Sequence, residues 1–233
     1  MEREIRVSDI LAEVSRLVGD TRRDVVTFIV VIGGLGVLGV LLGFSEVSDP
    51  AVGFGVRVDT FEGPGSAAFS LVSSLVSVVA GYLLLTRYLA ARGRMHEGGT
   101  RFWHYIAMAI LSGLAIAVGL IFLLVPGLFL AVRWSAASGF VIGAREGIIG
   151  SLRASWEATR GHGGQIFLAG LVLLIAIIAA GVVAGIFAAI SANLGAIVGA
   201  LLEASVNAVL LAFGIAVYCL VHRDAREIGE VFS

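Results

Sequence analysis

The sequence predicts an all-α protein: a polytopic bundle of six transmembrane helices arranged as three hairpins, with two amphipathic interfacial helices on the cytoplasmic side. Three observations lead there. Apolar residues make up 58% of the 233 and charged ones 14%, against about half and about a quarter in soluble domains. A domain of this size folded in water would still expose much of its surface, so a chain with a mean hydropathy of +1.01 has the bilayer as its solvent. Apolar runs close to the ~20 residues that cross about 30 Å of hydrocarbon recur along it. Lastly, the basic residues, which are sixteen arginines and no lysine, gather in alternate connections.

The first element is predicted over 5–24, where Val7, Ile10, Leu11, Val14, Leu17 and Val18 recur at helical spacing with charges between them. Ser8 is placed to cap it. Such a helix lies along the inner membrane face. It is not a secretory signal, because Glu2, Glu4, Asp9 and Glu13 interrupt any short apolar core. The run that follows, 25–44, is long enough to span and reads as a retained helix.

Further spans are predicted at 67–86, 105–124, 166–190 and 196–221. The stretch 106–142 is apolar for too long, since one helix of that length would reach roughly 55 Å. Val125-Pro126-Gly127 divides it. Proline disfavours helix in the residue before it, and glycine supports a turn. Pro126 and Gly127 therefore make a tight hairpin between spans 105–124 and 127–143.

Arginine placement supports this count, because positively charged loops stay cytoplasmic. Six spans leave Arg3, Arg6, Arg16, Arg22 and Arg23 inside, then Arg87, Arg92, Arg94 and Arg101, then Arg145, Arg153, Arg160, Arg223 and Arg226. Arg57 alone falls outside, in the acidic loop 45–66 with Glu46, Asp49, Asp59 and Glu62. A re-entrant fourth segment would export Arg145, Arg153 and Arg160. The reading is thus one membrane domain over 1–233 with both termini in the cytoplasm.

Between the fourth and fifth spans a second surface helix is predicted over 146–160, with the stripe Ile148, Ile149, Leu152 and Trp156. Trp103, Trp156, Arg153 and Arg160 are the expected interfacial anchors. The stripe aligns with Ile10, Leu11, Val14 and Val18, and Thr21-Arg22 with Thr159-Arg160. Either a duplicated unit of surface helix plus hairpin produced this, or two such helices arose independently. Small residues at Ser70, Ser73, Ser74, Ser77 and Gly81, and the pairs Gly39/Gly43, Gly181/Gly185 and Gly195/Gly199, predict close helix packing.

Two ionisable residues lie within spans, Arg133 and Glu203. A lone charge at mid-span costs about 3 kcal/mol on insertion scales, which favours pairing. Each is about seven residues from the outer end of its span, roughly 10 Å deep. Asn207 and Ser73/Ser74 fall near the same level. The expectation is an Arg133–Glu203 contact in a polar layer, serving either as a ligand site or as a structural ion pair.

No catalytic or cofactor pattern is read. The four histidines, His96, His104, His162 and His222, form no HExxH pair, and the single cysteine, Cys219, offers no zinc set or internal disulfide. Gly161-His162-Gly163-Gly164 lacks the Lys-Ser/Thr ending of a phosphate loop, and no GxSxG elbow occurs. The near-neutral net charge of −1 gives no footprint for nucleic acid. The expected partners are membrane lipids, with protein partners or a second copy of the chain.

Leu123-Leu-Val-Pro-Gly-Leu-Phe-Leu-Ala-Val-Arg133-Trp-Ser-Ala-Ala137 resembles the core motif of a bacterial membrane family, LL-x-PG followed by an arginine. Ser151-Leu-Arg-Ala-Ser-Trp-Glu-Ala-Thr-Arg-Gly-His162 resembles the family's S-W-x-L-T-R-G helix. The family is named for the membrane domain found beside some glycerophosphodiester phosphodiesterases. The resemblance implies a six-helix inner-membrane protein and little about activity. The soluble phosphodiesterase domain is not among these residues, so no hydrolase activity is implied for them. Ser138-Gly139 departs from the proline expected there, which leaves the lower part of the fourth span open.

Overall fold

The structure, a computed structural model, describes residues 5–44, 64–95 and 99–231. Nearly all of the acidic loop expected at 45–66, with Arg57, lies outside the described residues, as does His96. The described residues form helices α1 (Val7–Asp20), α2 (Arg22–Leu41), α3 (Pro64–Ala91), α4 (Phe102–Phe122), α5 (Leu124–Arg133), α6 (Ala137–Ile142), α7 (Ile148–Ala158), α8 (Gly163–Ile190) and α9 (Ala192–Val231). Among the described residues, six segments are long and apolar enough to cross a membrane: 22–41, 65–91, 102–122, 125–142, 163–190 and 192–222. The protein is a multi-pass helical membrane protein. Its large apolar side chains face outward, as a lipid solvent requires; Ile121, Phe122 and Val125 are 77–80% exposed.

The chain divides into two compact units, one of 1–21, 85–172 and 210–233, the other of 22–84 and 173–209. In the second unit α2 meets α9 through small residues. A Cβ on Gly33 would stand 2.9 Å from Leu201 Cδ2, and one on Gly36 2.8 Å from the Ala200 Cβ. Gly195 of α9 is as tight against Ala188 of α8, beside the one-residue break at Ser191. Gly39 is buried, and Gly43 closes α2 at φ +69°. A methyl group added at Gly181, Gly185 or Gly199 would meet nothing within 4 Å among the described residues.

The first unit carries the departures from expectation. α4 ends and α5 begins at one extended residue, Leu123 (φ −156°, ψ 115°). Pro126 and Gly127 are therefore not the turn. They sit in the first turn of α5, where a proline's missing N–H would have had no helical partner anyway. Gly127 has a packing role: a Cβ there would fall 2.5 Å from the Leu120 backbone nitrogen, and α4 answers with Gly119.

The fourth span is not one helix. It breaks over 134–136 into α5 and α6. The Ser135 hydroxyl donates to the Val132 carbonyl at 2.8 Å, and the Ala137 N–H bonds to Trp134 instead of to Arg133. Serine competing for backbone acceptors is a known way to interrupt a helix. Beyond the break, Gly139 lies against Tyr218 of α9, where a Cβ would stand 2.2 Å from the ring. A glycine at 139 is thereby accounted for. The loop after α6 is latched by two arginines: Arg145 Nη1 donates to the Gly99 carbonyl at 3.3 Å, and the Arg101 guanidinium donates to the Arg145 carbonyl.

Helix α1 lies within the predicted 5–24, but its start is arranged differently. Arg6 precedes the helix and its N–H donates to the Asp9 carboxylate at 3.2 Å, so Ser8 is inside rather than capping. Ile10, Val14 and Leu17 are buried. Helix α7 lies within 146–160, yet its buried face is Ser151, Leu152 and Ser155, continued by Thr159. Ile149, expected in the stripe, is 74% exposed.

Candidate functional site

The break in the fourth span frees a carbonyl. In an unbroken helix the Arg133 C=O would accept from the Ala137 N–H, and that donor is turned to Trp134. A buried carbonyl left without a donor costs about 1–3 kcal/mol. Helix α7 supplies the replacement: the Ser155 hydroxyl donates to it at 2.8 Å and the Thr159 hydroxyl at 3.3 Å. The single hydroxyl proton of Thr159 is shared with the Ser155 carbonyl, the nearer acceptor at 2.8 Å, which fixes its rotamer at the end of α7.

The side chain of Arg133 meets the same helix. Its guanidinium carbon stands 5.1 Å from the Phe129 ring centroid and 5.4 Å from that of Trp156. The two rings are themselves edge-on at 5.4 Å. A guanidinium is weakly hydrated and stacks well on aromatic faces, so two rings one helix turn and one helix away make a suitable seat for it. One nitrogen, Nη1, is buried without a hydrogen-bond partner among the described residues.

The segments Leu123–Ala137 and Ser151–His162 thus form one joint. Its parts are the arginine after the Pro-Gly, the tryptophan and serine of the α7 motif, and the threonine two residues before Gly161. No family model, no curated protein and no solved structure matches the chain.

The other expected residues are distributed as follows. Glu203 lies on α9 in the second unit and is exposed, with Asn207 one turn on and half-buried. Arg133 is in the first unit, where the groups seen around its guanidinium are aromatic. Ser73 and Ser74 of α3 are half-buried, and the Ser73 hydroxyl has no hydrogen-bond partner among the described residues. Of the expected anchors, Trp103 is 77% exposed, and Arg153 and Arg160 are exposed. Arg153 pairs with Glu157 one turn along α7 at 2.9 Å. Trp156 is instead taken up by the joint.

Sequence reasoning missed Ser155, Thr159 and Phe129. The signal was present for the first two, since both lie four residues apart on a helix and can reach one acceptor. What could not be read was the break at 134–136 that creates the acceptor.

A second constellation lies at the end of α3. The Arg92 guanidinium reaches α1 twice, with Nε 2.5 Å from the Glu13 carboxylate and Nη1 2.8 Å from that of Asp20. Burial alone would lower the Arg92 pKa, but the hydrogen bonds and charges of Asp20 and Glu13 outweigh it and hold it above the ordinary arginine value. Arg92 therefore keeps its charge in this tether.

Proposed function

We propose that this protein is a bacterial inner-membrane protein of six spans with both termini in the cytoplasm, related to the family its two motifs resemble. It acts as a scaffold or accessory protein through partners, without a catalytic step of its own. The observation that supports this reading is the use made of Arg133. A charge inside a span is a functional candidate by default, and here its carbonyl and its guanidinium are both engaged in holding α7 against the broken span. The helices α1 and α7 then serve as the cytoplasmic surface elements of the scaffold. The positive-inside distribution of arginines supports the orientation.

A second reading has one observation in its favour. Arg133 Nη1 is a buried donor without a partner among the described residues, which suits the handling of a lipid or small solute at Arg133. Native mass spectrometry of the protein released with its own lipids separates the two. Under the scaffold reading, wild type and Arg133→Ala retain the same small molecules, and cross-linking in intact membranes yields the same protein neighbour at fixed stoichiometry. A defined anionic species held by wild type and lost from Arg133→Ala would replace the scaffold reading with the second.

A further inference from the structure

The Arg92 tether leaves something over. Arg92 uses Nε and Nη1 on Glu13 and Asp20, while its Nη2 is buried with no hydrogen-bond partner among the described residues. Two residues on, Arg94 Nη1 is in the same condition. Both side chains line one hollow of about 290 Å³, completed by Glu13, Arg16, Cys219 and Leu220. At roughly 30 Å³ per molecule it has room for about ten waters, or for one tetrahedral anion with part of its hydration.

Its chemistry is one-sided. The buried groups lacking a partner are both donors, so what completes them must be an acceptor. Among the described residues, three arginines line the hollow against the Glu13 carboxylate, which stands 3.9 Å from Arg16, and Arg92 also holds Asp20, which leaves a positive balance. Guanidinium groups from two residues converging on an acceptor are the arrangement that recognises phosphate, whose several oxygens can take donors from different directions. The position fits too, since Arg92 and Arg94 follow directly on the last residues of the span 65–91, at the depth where lipid headgroups begin. We propose that the hollow between Arg16, Arg92 and Arg94 binds a phosphate-type anion, with Arg92 Nη2 and Arg94 Nη1 as its donors. The site is separate from Arg133 and stands whichever reading of Arg133 holds.

The ligand phosphate can belong to a lipid headgroup or be free in solution, and one experiment distinguishes them. The full chain in detergent is offered phosphatidylglycerol or inorganic phosphate, and bound adducts are read by native mass spectrometry. Retention of phosphatidylglycerol but not phosphate identifies a headgroup site, and the reverse a free-anion site. In either case Arg94→Ala weakens retention about tenfold, the effect of losing one charge-assisted hydrogen bond. Glu13→Gln, which removes a repelling carboxylate, strengthens it, and Arg133→Ala leaves it unchanged. A merely structural role for Arg94 would not give opposite responses to Arg94→Ala and Glu13→Gln. If Arg94→Ala fails to fold, Arg94→Lys and Glu13→Gln decide. Failure of wild type to retain either probe, or retention indifferent to every one of these substitutions, overturns the proposal.

Discussion

Helices α1 and α7 end alike and are held differently. Each closes on a buried threonine, Thr21 or Thr159, whose hydroxyl donates to the carbonyl four residues back at 2.8 Å. Set 138 residues apart, as the sequence alignment of the two stripes has them, Val14 falls on Leu152 and Leu17 on Ser155, all buried. But α1 buries Ile10, Val14 and Leu17 and is pinned by Arg92 through Glu13 and Asp20. Helix α7 buries Ser151 and Ser155 around one leucine, and its hydroxyls complete the broken fourth span. The same helical frame is docked once by apolar burial with ion pairs and once by backbone completion. A shared pattern of helix and threonine therefore does not carry a shared means of attachment.

The largest expected effect falls on the apolar side. Leu17 is wholly buried, and Leu17→Ala removes its packing and opens a cavity, a change that costs about 2–5 kcal/mol in protein cores. The loss should be local to α1. Hydrogen exchange on 7–20 accelerates while α7 keeps its protection. Equal acceleration in α7 would mean that the two helices unlock together and are not held by separate means.

Next comes the double substitution Ser155→Ala with Thr159→Val, which leaves the Arg133 carbonyl without its two donors. The expected loss is about 1–3 kcal/mol for one buried acceptor left unsatisfied, read as a lower thermal midpoint in detergent and as faster exchange over 148–158. The two residues share one acceptor, so the single substitutions should together cost less than the double one. Additive singles would show that the carbonyl is not what they hold. Trp156→Leu, which deletes one of the two rings over Arg133, should cost about 1–2 kcal/mol, within the range of partly desolvated cation–π contacts. Arg133→Lys should lose much of the same stabilisation, because an ammonium does not stack as a guanidinium does.

The spans were legible because length and composition settle them, and the structure moves their ends by only a few residues. The segments 5–24 and 146–160 were legible as helices for the same reason: apolar spacing is local information. What resisted reading depends on other parts of the chain. Ser155 looks like any helical serine until the Ala137 N–H turns to Trp134 and orphans a carbonyl twenty-two residues away. Pro126-Gly127 announced a turn, yet the turn is Leu123, and Gly127 is there for the close approach of Leu120. Of thirty-one glycines, sequence spacing picked out Gly181/Gly185, which meet nothing among the described residues, and passed over Gly139, which meets Tyr218. Repeats of small residues are frequent in an apolar chain, so spacing alone does not tell which ones face a neighbour.

The smallest expected effect is the sharpest test of the comparison. The Thr21 hydroxyl, like that of Thr159, donates to its own helix, at Leu17. Thr159 has a second acceptor in another helix, the Arg133 carbonyl. Thr21→Val keeps the shape, and loses a bond whose acceptor, the Leu17 carbonyl, still receives the Thr21 backbone N–H at 3.1 Å. Its cost should be at the lower edge of a single hydrogen bond, about 0.5 kcal/mol, and Thr159→Val should cost about twice as much. Thermal midpoints of the two variants, measured side by side in one detergent, give the ratio directly. Equal losses would mean that Thr21 also supports a carbonyl outside α1. The two helices would then be one docking device used twice, and the case for a duplicated ancestor would rest on energetics as well as on spacing.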